Sequence, residues 1–127
     1  MHVILGGKYQ GKRVYAEKLY GNFTGVCDLE YSDVITSGLL VNVHLGVKRG
    51  LTCEYFHQKI AVLRQCVILC TEISGGIVPI DENLRRWRDE TGKVYQYLAA
   101  EAEIVDRVFA GLAIRLKGGL VTANKNL

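Results

Sequence analysis

The sequence predicts an α/β fold, a three-layer sandwich in which helices pack on both faces of a mostly parallel β-sheet. Short apolar runs without polar alternation, such as residues 3–5 and 67–70, are typical of strands buried on both faces. Segments with apolar residues at helical spacing separate these runs, as crossovers between parallel strands require. The 127 residues, 49% of them hydrophobic, suffice for one core, and we expect residues 1–127 to form a single domain.

The first half of the chain is interpreted as strand, helix, strand and helix. A helix over residues 14–20 follows the opening strand, and a second strand lies within residues 24–31. Ser32 or Asp33 is suited to cap the next helix. Four apolar residues spaced by four predict that this helix runs on to about residue 47: Ile35, Leu39, Val43 and Val47.

The second half repeats the alternation. Thr52 is expected to cap a helix, a buried strand covers residues 67–70, and a loop follows at residues 74–76. Pro79 and Asp81 lead into the longest helix. Its predicted buried stripe is Leu84, Trp87, Val94 and Leu98. A last strand covers residues 104–114, and the polar tail from about residue 118 is expected to be flexible.

Composition excludes several classes of function. The net charge of +3 comes without a basic stripe and interleaved aromatics, so nucleic-acid binding is not expected. No apolar run reaches the ~18 residues of a membrane span, and no signal-peptide pattern opens the chain. The four cysteines contain no C-x-x-C pair, which favours buried thiols in a cytoplasmic protein. Cys53 and His57 could share a helix face, but no second ligand pair accompanies them.

A glycine-rich loop is the first chemical signal. Gly6, Gly11 and Lys12 have the G-x-x-x-x-G-K spacing of a phosphate-binding loop between a buried strand and a helix. Glycines let backbone N–H groups turn around an anion, the helix presents its positive end, and the lysine reaches the β- and γ-phosphates. The other interpretation is a plain glycine-rich turn. The residues expected to bind the phosphates are Gly6, Gly7, Lys8, Tyr9, Gln10, Gly11, Lys12 and Arg13.

The residue after the lysine departs from this pattern. A Ser or Thr hydroxyl normally binds Mg²⁺ there, whereas Arg13 opposes a cation with its own charge. Asp28, at the end of the second strand, could hold Mg²⁺, or it could cap the strand end. Glu72 follows the strand at residues 67–70, at the sheet edge where ligands bind in open α/β folds. Lys12, Glu72 and Asp28 are therefore the candidate catalytic residues.

The second half of the chain also resembles a known family. Residues 72–79, 85–89, 92–100 and 110–117 follow in order the C-terminal pattern of the adenosylcobinamide kinase/adenosylcobinamide-phosphate guanylyltransferase family of cobalamin biosynthesis. Residues 3–20 resemble its N-terminus, with Glu72 at the position of a family acid. The resemblance implies a cytoplasmic P-loop protein that forms a small homo-oligomer. It also implies phosphorylation of adenosylcobinamide by ATP or GTP, followed by GMP transfer through a histidine.

Residues 21–65 depart from that family. The histidine-bearing helix of the family has no counterpart there, and His44 and His57 lack its basic surroundings. His2, before the first strand, carries no functional signal. The sequence thus predicts a shortened, divergent member that binds a nucleotide and has lost guanylyl transfer. The alternative is a non-catalytic paralogue that senses a nucleotide or corrinoid, or that partners an active enzyme.

Overall fold

The computed structural model describes residues 1–73 and 81–119. Its strands are β1 (His2–Gly6), β2 (Val26–Asp28), β3 (Gly38–Val41), β4 (Cys66–Thr71), β5 (Ile104–Phe109) and β6 (Leu112–Lys117). Its helices are α1 (Lys12–Tyr20), α2 (Val43–Lys48), α3 (Cys53–Gln58), α4 (Ile60–Leu63) and α5 (Glu82–Glu101). The predicted loop at residues 74–76, Pro79 and the tail beyond residue 119 lie outside the described residues.

The strands form one six-stranded sheet in the order β2-β3-β4-β1-β5-β6. Every neighbouring pair is parallel except β5 and β6, which form an antiparallel hairpin. The five parallel strands therefore bring their carboxyl ends to one edge of the sheet, and β1 lies inside the sheet between β4 and β5. Ligands bind at that edge in open α/β sheets, so it is the place to look for a site.

Apolar clusters cover both faces of the sheet. On one face, Ala16 of α1 packs with Ile4, Val67 and Val108. On the other, residues of α2 to α5 pack on the sheet, including Val47, Phe56, Leu63, Val94 and Leu98. The predicted α/β class, the mostly parallel sheet and the three layers are thus confirmed.

The helix predicted to run from residue 32 to about residue 47 is wrong. The segment contains strand β3, and helix α2 begins only at Val43. Leu39 packs into the cluster beneath α1, whereas Leu40 packs into the cluster on the opposite face. A strand buried on both faces needs consecutive apolar residues. The apolar run of β3 contains Leu39, which also belongs to the set of residues spaced by four that predicted a helix. Asp33 does not cap a helix, and its carboxylate pairs with Arg49.

The last third also differs in detail. Asp81 caps α5 as expected, accepting hydrogen bonds from the backbone N–H groups of Asn83 and Leu84. Leu84 is 42% exposed, however, and Thr91 joins Val94 and Leu98 in the buried stripe. Residues 104–114 are not one strand, because the chain reverses at Ala110–Gly111 between β5 and β6. Among the described residues, no helix has the length and apolar character that a bilayer crossing requires.

Candidate phosphate-binding site

The glycine-rich loop joins β1 to α1, and two of its glycines are required by the backbone. A Cβ on Gly6 would lie 2.6 Å from the backbone oxygen of Val108. Gly11 has φ 98°, a left-handed conformation that side chains disfavour. Gly7 has neither constraint, because the nearest atom to its Cβ position is a Gln10 side-chain carbon at 3.4 Å. The spacing of Gly6 and Gly11 therefore reflects a tight path between β5 and the start of α1.

Lys12 lies under this loop and is 9% exposed. Its Nζ donates to the carbonyl oxygens of Gly6 at 3.1 Å and Gly7 at 2.8 Å. Burial lowers the pKa of Lys12, while Cys70 and Glu72 act in the opposite direction. These two hydrogen bonds hold the ammonium group at the carboxyl edge of β1.

A cavity of about 430 Å³ opens beside the loop. The loop and the first residues of α1 form one wall, and the carboxyl ends of β3 and β4 form the other. The lining residues are Tyr9, Gln10, Gly11, Lys12, Arg13, Val14, Val41, Asn42, Leu69 and Thr71. Five of the eight predicted phosphate-binding residues line it. Gly6 and Gly7 face Lys12 instead, and the exposed Lys8 lies 5.3 Å above the Tyr9 ring.

Glu72 is close to the loop but engaged elsewhere. Its backbone N–H donates to the Gly6 carbonyl at 2.9 Å, which holds the end of β4 against the start of the loop. Its carboxylate accepts two hydrogen bonds from Arg107 of β5, at 2.9 and 3.1 Å. The pair is partly exposed, with side-chain exposures of 33% for Glu72 and 54% for Arg107. Glu72 can therefore exchange this partner for another at modest cost.

Asp28 does not line the cavity, but it contacts Asn42, a residue that does. It ends β2, three strands from β1 in the sheet order, or about 14 Å at the usual strand spacing. Its Oδ1 accepts from the backbone N–H of Glu30 and from Asn42 Nδ2, both at 2.9 Å. Asn42 in turn lines the cavity. The structure gives Asp28 the capping role, and a catalytic or metal-binding role for it stays a prediction.

Among the described residues, those that line the cavity offer no carboxylate for Mg²⁺. Arg13 follows Lys12 and lines the cavity with a cationic side chain. Of the two candidate acids, Glu72 is paired with Arg107, and Asp28 is bound to Asn42 and does not line the cavity. Within residues 1–73 and 81–119, no three His, Cys, Asp or Glu side chains gather in a metal-binding cluster.

Sequence reasoning missed a buried polar cluster behind α1. Asp106 of β5 is 1% exposed and accepts from Tyr15, from Arg115 and, at 2.6 Å, from His2 Nε2. His2 Nδ1 lies 2.6 Å from the hydroxyl of Tyr20. Burial lowers the pKa of His2, although Asp106 acts against this, so a neutral imidazole donates to the carboxylate. An aspartate inside an apolar strand was the available signal, because a buried carboxylate needs partners.

The other two histidines have separate environments. His57 is exposed and stacks on Tyr97 with ring centroids 3.9 Å apart. His44 lies in α2, where its backbone oxygen accepts from Trp87 Nε1 at 2.6 Å. Its Nδ1 is buried and has no hydrogen-bond partner among the described residues. No histidine is among the residues that line the cavity beside the loop.

The fold and the loop together define a P-loop-like α/β protein. A glycine-rich turn leaves a central parallel strand, opens a helix and places a lysine at the carboxyl edge of the sheet. Comparison with family models narrows this class. The model described as cobinamide kinase / cobinamide phosphate guanyltransferase matches residues 38–116, more than half of the chain, and the chain belongs to that family. None of the curated proteins compared matches the chain significantly.

The matched range refines the resemblance seen in the sequence. It includes most of residues 67–117, as expected. It also includes residues 38–65, so the prediction that residues 21–65 as a whole depart from the family is wrong for this part, and it does not extend to residues 3–20. The family assignment therefore depends on β3 to β6 and the helices between them. The glycine-rich loop lies outside the matched range, so a phosphate site there is inferred from the geometry of the loop.

Proposed function

We propose that this protein binds ATP or GTP through residues 6–13 and transfers the γ-phosphoryl group to the hydroxyl of adenosylcobinamide. The observation that carries the proposal is the cavity beside the loop, with Lys12 at its base and the loop along one wall. Its position at the carboxyl edge of a parallel sheet is the usual one for a nucleotide. The family membership supports a cobinamide substrate.

In the proposed reaction, the substrate oxygen attacks the γ-phosphorus and the bond to the β–γ bridging oxygen breaks, releasing the nucleoside diphosphate. Lys12 would exchange the carbonyls of Gly6 and Gly7 for phosphate oxygens and stabilise their charge. Glu72, once released from Arg107, would accept the hydroxyl proton. No step is assigned to Asp28.

The described residues support a protein that has lost guanylyl transfer. The reaction implied by the resemblance needs a histidine that can reach the nucleotide. His2 is held between Asp106 and Tyr20, and His57 stacks on Tyr97. Neither these residues nor His44 line the cavity. This arrangement supports the loss of the second activity.

A second candidate function is that of a non-catalytic paralogue that senses a nucleotide or corrinoid. Arg13 in place of a magnesium ligand and the pairing of Glu72 with Arg107 favour it. Under either function we propose a cytoplasmic homo-oligomer. Self-association is supported by the exposed apolar residues of the β5–β6 hairpin, which are Phe109, Leu112, Ile114 and Leu116.

Calorimetric titration with ATP and GTP, with and without Mg²⁺, tests whether the loop binds a nucleotide. Lys12→Ala should weaken binding about 10- to 100-fold, because a hydrogen bond to a charged group contributes about 1.5–3 kcal/mol. Lys18→Ala, at an exposed position of the same helix, is the matched control. A phosphorylation assay on adenosylcobinamide then separates the two functions. Lys12-dependent binding without turnover favours the paralogue, and no binding of either nucleotide rejects the kinase and a nucleotide-sensing paralogue.

A further inference from the structure

The tip of the β5–β6 hairpin lies against the glycine-rich loop. The two turn residues have positive φ, 50° at Ala110 and 78° at Gly111, and Phe109 pairs with Leu112 across the turn. Positive φ at both central residues defines a type I′ turn. Alanine is unfavourable there by about 1–2 kcal/mol, so surrounding contacts must hold the conformation.

Gln10 supplies those contacts. The N–H of Gly111 donates to the Gln10 backbone oxygen at 2.9 Å, and the N–H of Ala110 donates to Gln10 Oε1 at 2.6 Å. One loop residue therefore satisfies both turn amides, and we call this pair of hydrogen bonds the Gln10 latch. The Ala110 amide is 100 residues away from Gln10 in the chain, and Gly111 follows it directly.

The neighbouring glycines bring the same two segments together. A Cβ on Gly11 would lie 3.4 Å from the Gly111 Cα, and one on Gly6 would lie 2.6 Å from the Val108 oxygen. The loop is thus in contact with β5 at its first residue and with the hairpin turn at its last. The same hairpin contributes Arg107 to Glu72. The hairpin therefore contacts the loop from the β5 side of β1, opposite the cavity wall formed by β3 and β4.

We propose that Gln10 is a positioning residue of the phosphate loop, acting through the Gln10 latch to hold the loop backbone ordered for an anion. Its importance for binding rests on the proposed function, whereas the latch itself does not. A preorganised loop binds phosphate without the cost of ordering its backbone at each encounter. By linkage, a bound nucleotide and an intact hairpin turn stabilise each other.

The test compares Gln10→Met, which keeps the length of the side chain but removes the acceptor oxygen, with Gln10→Glu, which keeps an acceptor. Gln96→Met, at an exposed position of α5, is the matched control. Amide exchange by NMR reports on Ala110, and ¹⁵N relaxation reports on the loop amides of residues 7–11. Both measurements use the protein without nucleotide.

In Gln10→Met we expect Ala110 exchange to accelerate about fivefold, the factor of one net hydrogen bond. Loop order parameters should fall from about 0.85 toward 0.6. Affinity for ATP or GTP should fall about fivefold. Gln10→Glu should restore Ala110 protection and loop order, and Gln96→Met should change neither.

Unchanged Ala110 exchange in Gln10→Met would overturn the latch, and so would a Gln10→Glu variant that behaves like Gln10→Met. Faster exchange with an equally rigid loop would overturn the positioning role. If the unmodified protein binds no nucleotide while the exchange and relaxation effects occur, the proposed function fails and the latch stands.

Discussion

Replacing Asp106 with asparagine should destabilise the protein by about 3 kcal/mol. The carboxylate is 1% exposed and accepts hydrogen bonds from three side chains, His2, Tyr15 and Arg115. The Nδ2 of an asparagine would face a donor on one side, so at least one charge-assisted bond of about 1.5–3 kcal/mol is lost. An unpaired buried donor adds about 1–3 kcal/mol.

Urea unfolding followed by Trp87 fluorescence measures this loss, with an unchanged m-value as the sign that the two states keep their compactness. Asp89→Asn is the matched control, because Asp89 is exposed on α5, and it should stay within about 0.5 kcal/mol. A loss below about 1 kcal/mol for Asp106→Asn would refute the buried cluster.

The pH dependence gives an independent check. Burial alone would raise the pKa of Asp106, but hydrogen bonds from Arg115, Tyr15 and His2 hold it below its ordinary value. Because its pKa is lowered, the Asp106 carboxylate stabilises the fold above about pH 3.9, and this contribution is lost as the pH falls and the group is protonated. The stability difference between the protein and Asp106→Asn should therefore be constant near neutral pH and shrink below about pH 3.9. Burial lowers the pKa of His2, so protonation of His2 costs stability below about pH 6.5. Asp106 raises the His2 pKa and limits this cost, so the difference should first widen between about pH 6.5 and pH 3.9.

Two further substitutions test the loop and the hairpin turn. Gly6→Ala should destabilise the protein by more than about 1 kcal/mol and impair nucleotide binding, because its Cβ would lie 2.6 Å from the Val108 oxygen. Gly7→Ala should cost less than half as much stability in the same urea titration. Equal losses would remove the argument from the tight path of the loop. Ala110→Asn should stabilise the protein by up to about 1 kcal/mol and so raise its melting temperature, since Asn-Gly is the favoured pair of a type I′ turn. A lower melting temperature would count against the turn assignment.

The parts of the fold that the sequence predicted are those with strong local signals. The runs at residues 3–5 and 67–70 became β1 and β4, and Asp81 caps the long helix α5. The prediction of a helix after Asp33 was wrong because a pattern of four apolar residues does not distinguish a helix from a strand buried on both faces. Only the pairing of β3 with β4, which is a tertiary contact, decides between them.

In the candidate site, too, the features with local sequence signals could be predicted and those that depend on tertiary contacts could not. The loop could be predicted, because the spacing of Gly6, Gly11 and Lys12 is local. The pairing of Glu72 with Arg107 and the burial of His2 against Asp106 could not, since each joins residues 35 or more positions apart. Asp28 could be placed at a strand end from the sequence, but the position of that strand in the sheet could not, because strand order depends on tertiary contacts.

Chemical-shift mapping of the ¹⁵N-labelled protein during titration with ATP or GTP tests the central claim most directly. A nucleotide bound by the loop should move the amides of residues 7–13 most, with smaller changes at Asn42 and Thr71 across the cavity. The amides at the far end of α5, around Glu101, should not move. Saturable shifts that leave residues 7–13 unaffected, or no shifts at millimolar nucleotide, would contradict a phosphate-binding role for the loop.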